Sequence, residues 1–103
     1  QAVIVKSGKI IIEEGKAGTA QMIKDSQDII PDGRGGVLIK LKKPDQDRRM
    51  DLPTIGVLTV LEAYEAGIAG IIIQAGETIV IDLESVISTA NQKGIFIKAL
   101  DLN

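Results

Sequence analysis

Six of the twelve basic residues, Arg34, Lys40, Lys42, Lys43, Arg48 and Arg49, fall within positions 34–49, where only Asp45 and Asp47 oppose them. That window carries a local charge of +4 in a chain of formal net charge −2. Cations gathered in a concavity raise the local concentration of an anionic ligand whatever the total charge. Arginine supplies a planar fork of donors matched to phosphate and lysine a point charge, so the chemistry this window suits is phosphate or pyrophosphate binding. Asp47 and Asp51 stand beside it. Carboxylates among cations are the mix that phosphoryl transfer uses. A magnesium-type ion takes a few carboxylate oxygens with water and substrate phosphate, and a carboxylate can instead orient the attacking water. The same residues also suit a plainer arrangement, a solvated strand and loop whose acids pair with Lys43, Arg48 and Arg49 for under about 1 kcal/mol each.

Residue types missing from the chain narrow the chemistry further. With no histidine, cysteine or tryptophan, imidazole triads, thiol nucleophiles, thiolate metal sites and disulfides are all excluded. Tyr64 and Phe96 are the whole aromatic complement. So few stacking platforms, with a negative net charge, argue against nucleic acid as a partner. No apolar run reaches the length of a membrane span. The chain begins at Gln1 without a charged-then-apolar leader, which reads as a fragment or processed chain.

The elements that must position these residues follow from the apolar pattern. Residues 2–6 and 9–13 are β-branched runs around Ser7-Gly8, a hairpin pattern. Glu13 and Glu14 close its second strand and read as solvent-facing acids. Thr19 reads as the cap of a short helix that buries Met22 and Ile23 and ends before Pro31. Residues 37–42 alternate as a strand, with Val37, Ile39 and Leu41 on one face and Leu38, Lys40 and Lys42 on the other. Residues 43–56 show no period and read as a long loop, of the length that is usually functional or disordered. Gly33, Gly35 and Gly36 precede a strand rather than follow one, the reverse of a nucleotide-binding P-loop.

Thr59 and Glu62 read as a capping box for a helix that packs Val60, Leu61 and Tyr64 inward and ends at Gly67. Gly56, just before it, would let a phosphate approach the backbone at the helix N-terminus. Residues 71–74 and 78–81 read as strands. Asp82 then caps a helix with Leu83, Val86, Ile87 and Ala90 on its inner side, and Gly94 ends it before a last strand at 95–97. The expected fold class is α/β: a mixed sheet with an N-terminal β-hairpin and alternating strands and helices in the second half.

Positions 36–56 read Gly-Val-Leu-Ile-Lys-Leu-Lys-Lys-Pro-Asp-Gln-Asp-Arg-Arg-Met-Asp-Leu-Pro-Thr-Ile-Gly. This segment is similar to the LpxI-type UDP-2,3-diacylglucosamine pyrophosphatases. Their C-terminal domain carries Lys-x-x-Lys-Pro-x-Gln-(Asp)-x-Arg-x-Asp-x-Pro-x-Ile-Gly, represented here by Lys40, Lys43, Pro44, Gln46, Asp47, Arg49, Asp51, Pro53, Ile55 and Gly56. The likeness extends to residues 1–5, 66–71 and 94–96 and so covers nearly the whole chain.

The resemblance implies hydrolysis of the pyrophosphate bond of a UDP-diacylglucosamine-like lipid to lipid monophosphate and UMP, in lipid A synthesis. It implies Mg2+ or another divalent cation as cofactor and a peripheral location at the cytoplasmic face of the inner membrane. Residues 1–103 would form a single domain, the C-terminal one of a two-domain protein whose N-terminal domain is absent and completes the active site. By the same resemblance Asp51 is the essential acid and metal ligand and Asp47 a second catalytic acid. Lys40, Lys43, Gln46, Arg49, Thr54, Gly56 and Thr19 are implied substrate contacts. The family's Glu-Gly-Thr-Asp is Ala17-Gly18-Thr19-Ala20 here, and its Glu-Ala-Gly is Gln74-Ala75-Gly76. These neutral replacements keep open an alternative, a noncatalytic nucleotide-sugar or phosphate-binding domain.

Overall fold

β-Branched runs punctuated by glycine set the strands of this protein, and the computed structural model describes residues 2–30, 35–42 and 52–101. β1 (Ala2–Lys6) and β2 (Lys9–Glu13) pair antiparallel around Ser7 and Gly8, whose φ values of 55° and 78° are those of a two-residue hairpin turn. A bulge between Ile4 and Val5 shifts the register, so that Ile4 faces Ile12 and Val5 faces Ile10. α1 (Thr19–Ser26) then crosses to β3 (Val37–Lys40), burying Met22, Ile23 and Ser26. Ser26 is tolerated there because its hydroxyl donates to the Ile23 carbonyl at 2.6 Å.

β3 pairs antiparallel with β1 and parallel with β5 (Gly70–Gln74), which pairs parallel with β7 (Phe96–Leu100). The five-stranded order is β2-β1-β3-β5-β7. Each parallel crossover carries a helix, α2 (Val57–Glu65) between β3 and β5 and α3 (Leu83–Lys93) between β5 and β7. Each also carries a two-residue strand. β4 (Thr54–Ile55) and β6 (Ile79–Val80) pair parallel as a second small sheet. The expected mixed α/β architecture is therefore the one observed.

The core is aliphatic. Ile4, Leu38 and Ile71, neighbours across β1, β3 and β5, are fully buried against helix residues that include Met22, Val60, Ala63 and Val86. Several local expectations need correction. Gly18, not Thr19, is the N-cap of α1, and the Thr19 hydroxyl turns to another partner. The Thr59–Glu62 capping box is absent. α2 starts at Val57 with Gly56 as N-cap, and the Thr59 hydroxyl accepts from the Gly56 N–H at 3.1 Å. Tyr64 faces outward at 49% exposure, under the Lys93 ammonium 4.8 Å from its ring centre, while Ala63 takes the inner position. Leu83 and Ile87 are also exposed, leaving Val86 and Ala90 as the inner pair of α3. Asp82 does cap that helix, accepting from the Ser85 N–H, and Gly94 ends it in the left-handed conformation.

Candidate functional site

Parallel strands joined by crossover helices leave a crevice outside their carboxyl ends. In this sheet the carboxyl ends of β3 and β5 lie beside the start of β1, because Lys40 pairs with Ala2 on one side and with Ile73 on the other. Side chains with charge gather there.

Lys40, the last residue of β3, is half-buried and donates from Nζ to the Thr54 carbonyl oxygen at 3.2 Å. Partial burial pushes its ammonium below the usual lysine value, and the Glu14 carboxylate opposes part of that shift. Glu14 is brought close by its own backbone, whose N–H donates to the Ala2 carbonyl at 2.8 Å. Its Oε1 accepts from the Thr19 hydroxyl at 2.6 Å. The expectation for Glu14 as a plain solvent-facing acid is thus corrected, whereas Glu13 is exposed as expected.

Lys42 follows on the same edge. Its backbone N–H donates to Gln74 Oε1 at 3.1 Å, and its ammonium lies 4.0 Å from Glu77 Oε2 in a partly buried ion pair. Thr78 donates from its hydroxyl to the Gln74 carbonyl at 3.0 Å. Lys42 therefore faces an acid, while Lys40 donates to a neutral carbonyl. Exchange of that carbonyl for an anionic phosphate oxygen adds the attraction of opposite charges to a bond whose donor is already charged. Among the described residues of this edge, Lys40 is the cation placed to meet an anion.

The other expected contacts divide into three groups. Thr54 and Gly56 lie where Lys40 reaches, but Thr54 contributes its carbonyl to Lys40, and its hydroxyl turns to the Leu52 carbonyl at 3.4 Å. Gly56 has an extended φ of −152°, and an added Cβ would meet only Ile81 at 3.9 Å, so its backbone does not require glycine. Its position one residue ahead of α2 still puts the helix N-terminus at the crevice. Thr19 is joined to this edge through Glu14. Lys43, Gln46, Asp47, Arg49 and Asp51, together with Arg34 and Arg48, lie outside the described residues. The chain leaves the described part at Lys42 and rejoins it at Leu52, on the Lys40 edge.

Three residues at this edge, Glu14, Gln74 and Glu77, were not among the expected contacts. Their signal in the sequence is slight, since Gln74 and Lys42 meet across a separation of 32 residues. Ala17 and Ala20 are exposed, and the first turn of α1 holds no acid. Among the described residues no three metal-ligating side chains gather.

Comparison with known proteins places this arrangement in context. Residues 1–98 match the family model described as the LpxI C-terminal domain. The chain is 40% identical over 107 aligned positions to the UDP-2,3-diacylglucosamine pyrophosphatase LpxI of Caulobacter vibrioides. That alignment covers 98% of this chain and 38% of the relative, so the chain spans well under half of the relative's length.

Proposed function

The chain belongs to the family of LpxI C-terminal domains, and from that premise we propose that it forms one part of a longer hydrolase. The substrate is a UDP-diacylglucosamine-like nucleotide-sugar lipid, cleaved at its pyrophosphate bond to lipid monophosphate and UMP. The observation that carries this is the half-buried Lys40 ammonium, held on a neutral carbonyl at the carboxyl ends of β3 and β5. A pyrophosphate oxygen is a stronger acceptor than the Thr54 carbonyl and takes its place.

Hydrolysis forms a P–O bond to the oxygen of water and breaks the bridging P–O bond. The bridging oxygen leaves with the electron pair, and the proton lost by water passes to a base. Cations already in place beside the phosphoryl oxygens stabilise the charge that develops there without reorganising during the reaction. Lys40 supplies one of them, and Lys43 and Arg49 extend the positive set. Asp51 and Asp47 are the carboxylates assigned to orient and deprotonate the water.

A divalent cation such as Mg2+, when bound, would neutralise phosphate charge. The described residues do not fit one by themselves, since no three ligands gather among them and Glu14 is engaged by Thr19. Any metal ligation is assigned to Asp51 and to the remainder of the longer chain, and no step is derived through the ion. No helix among the described residues is long and apolar enough to cross a membrane. A peripheral position at the cytoplasmic face of the inner membrane is the one that gives the enzyme access to a lipid-linked substrate.

The test is release of UMP from UDP-2,3-diacylglucosamine by the full-length chain with magnesium. Turnover that is lost in Asp51→Ala supports the assignment, and an unchanged rate in that variant overturns the role of Asp51. Substrate binding without turnover at any divalent-cation concentration assigns the protein instead to the noncatalytic class. Restoring acids at positions 17 and 20 then tests whether their replacement is the cause.

A further inference from the structure

The helices finish only one side of the five-stranded sheet. Right-handed crossovers that step in one direction, β3 to β5 to β7, carry both of their helices to the same face. α2 touches α1 and α3 there. Burial alternates accordingly. Ile4, Leu38 and Ile71 are 0% exposed, whereas Val3, Ile39 and Ile72, the neighbouring row in register, are only half-buried. The row beyond holds Val5, Val37 and Gly70, with the Phe96 ring lying over Gly70 at 48% exposure. Among the described residues, Val3, Val5, Val37, Ile39 and Ile72 take no part in the core cluster that the helices share with Ile4, Leu38 and Ile71. Parallel strands that are apolar on both sides belong to sheets covered on both sides.

We infer that this face is the docking surface for the segment that precedes the domain in the longer family chain, a proposal that rests on the two-part organisation but not on the chemistry. The matching model is that of a C-terminal domain, and this chain covers 38% of its relative, so that relative's additional sequence includes a preceding part. β1 is an interior strand with Val3 as its second residue, and a segment joined ahead of it emerges directly beside the open face.

Area favours a tethered occupant over a second copy. Strands about 4.8 Å apart and about 15 Å long give the face a footprint of roughly 300 Å2, against about 800 Å2 per partner in a standard stable interface. A covalently joined segment needs less, because its effective concentration reaches about the millimolar range. Glu13 and Lys98, at the two ends of the Val3 row, leave the centre of the face uncharged.

The residues 1–103 contain no cysteine, so thiol labelling can report on this surface. Phe96→Cys, Val37→Cys and, as an exposed reference on α1, Lys24→Cys are each placed in the full-length chain with any other cysteines replaced. Maleimide labelling is followed by mass spectrometry at several protein concentrations. The docked segment makes positions 96 and 37 react about tenfold or more slowly than position 24, at every concentration. Labelling of both at the reference rate overturns the proposal. Protection that disappears on dilution together with a dimer also overturns it, in favour of a second copy. Labelling at the reference rate with UMP release intact would refute this interface while leaving the reaction standing.

Discussion

Where β3, β5 and β7 begin, backbone meets backbone: the Gly35 N–H donates to the Gly67 carbonyl at 2.7 Å, the Ala69 N–H to the Gly36 carbonyl at 2.9 Å, and the Phe96 N–H to the Ala69 carbonyl at 3.3 Å. Gly35, Gly36, Gly67 and Gly94 enter these strands with φ between 71° and 90°, a range side chains resist. Where β3 and β5 end, main-chain bonds from the Glu14 N–H to the Ala2 carbonyl and from the Ala75 N–H to the Leu100 carbonyl are joined by side chains. Lys40 reaches the Thr54 carbonyl, Gln74 accepts from the Lys42 backbone, Glu77 faces Lys42, and Thr19 holds Glu14. Main-chain closure fixes a shape and offers a ligand nothing further. Side-chain closure keeps charges at the surface that can exchange partners, and this is the end where the 43–51 segment leaves and rejoins the described chain.

The largest effect that separates the two ends is on activity. Lys40→Met in the full-length chain is expected to lower kcat/KM about 10²- to 10³-fold, as loss of one preorganised charge in a phosphoryl site does. Thermal stability at neutral pH is expected to hold or rise, because a partly desolvated ammonium is removed. Steady-state kinetics and a melting curve check both halves. A fall in melting temperature that accounts for the activity loss would make this end structural and erase the contrast.

The opposite end should respond in stability. Gly70→Val places side-chain atoms where the Phe96 ring lies, and is expected to cost about 1–3 kcal/mol in urea unfolding. Removing the ring first relieves the clash, so Gly70→Val in a Phe96→Ala background costs less than the sum of the single changes. Strict additivity would mean that the ring and the glycine are not coupled.

How far the sequence foretold these ends follows the same division. The hairpin, the glycine entries and the boundaries of α3 are local signals, carried by β-branched runs, Ser7-Gly8, Asp82 and Gly94, and they were legible. The apolar period of α3 does not say which edge of its stripe is left uncovered, so Leu83 and Ile87, expected on the inner side, lie exposed. β4 and β6 are two residues each and exist only through their mutual pairing, which no local pattern carries. At the site, Lys40 was legible as a charge in a basic window. Glu14 was not, because its place depends on a hydrogen bond back to Ala2 and a hydroxyl on the next helix.

A smaller change tests whether side-chain closure also holds the carboxyl end together. Gln74→Leu removes the acceptor of the Lys42 N–H, and an unpaired, partly buried donor costs about 1 kcal/mol. The expected result is a modest loss in urea unfolding, with KM raised as Lys42 and the chain beyond it lose their fixed start. A loss of stability with KM unchanged would separate Gln74 from the site.

The smallest effect is electrostatic and has a definite sign. Burial lowers the Lys40 pKa in the folded protein below its unfolded value, and Glu14 raises it part of the way back. Charged Lys40 therefore carries a stability cost that is fully present below the folded pKa and fades as pH rises from there to the unfolded value. Glu14→Gln removes the opposing carboxylate, so the folded pKa falls further and the cost at neutral pH grows. In the kinetics, the alkaline fall of kcat/KM, where Lys40 loses its proton, moves to lower pH. Both changes should vanish when Glu14→Gln is made in a Lys40→Met background, because the carboxylate then has no ammonium to act upon. Thr19→Val should move the same limb in the same direction, since the hydroxyl at 2.6 Å is what holds Glu14 in place. An alkaline limb that stays put in Glu14→Gln, measured against wild type across the same buffers, would show that the two ends differ in Lys40 alone and that Glu14 serves only to fasten α1 to the hairpin.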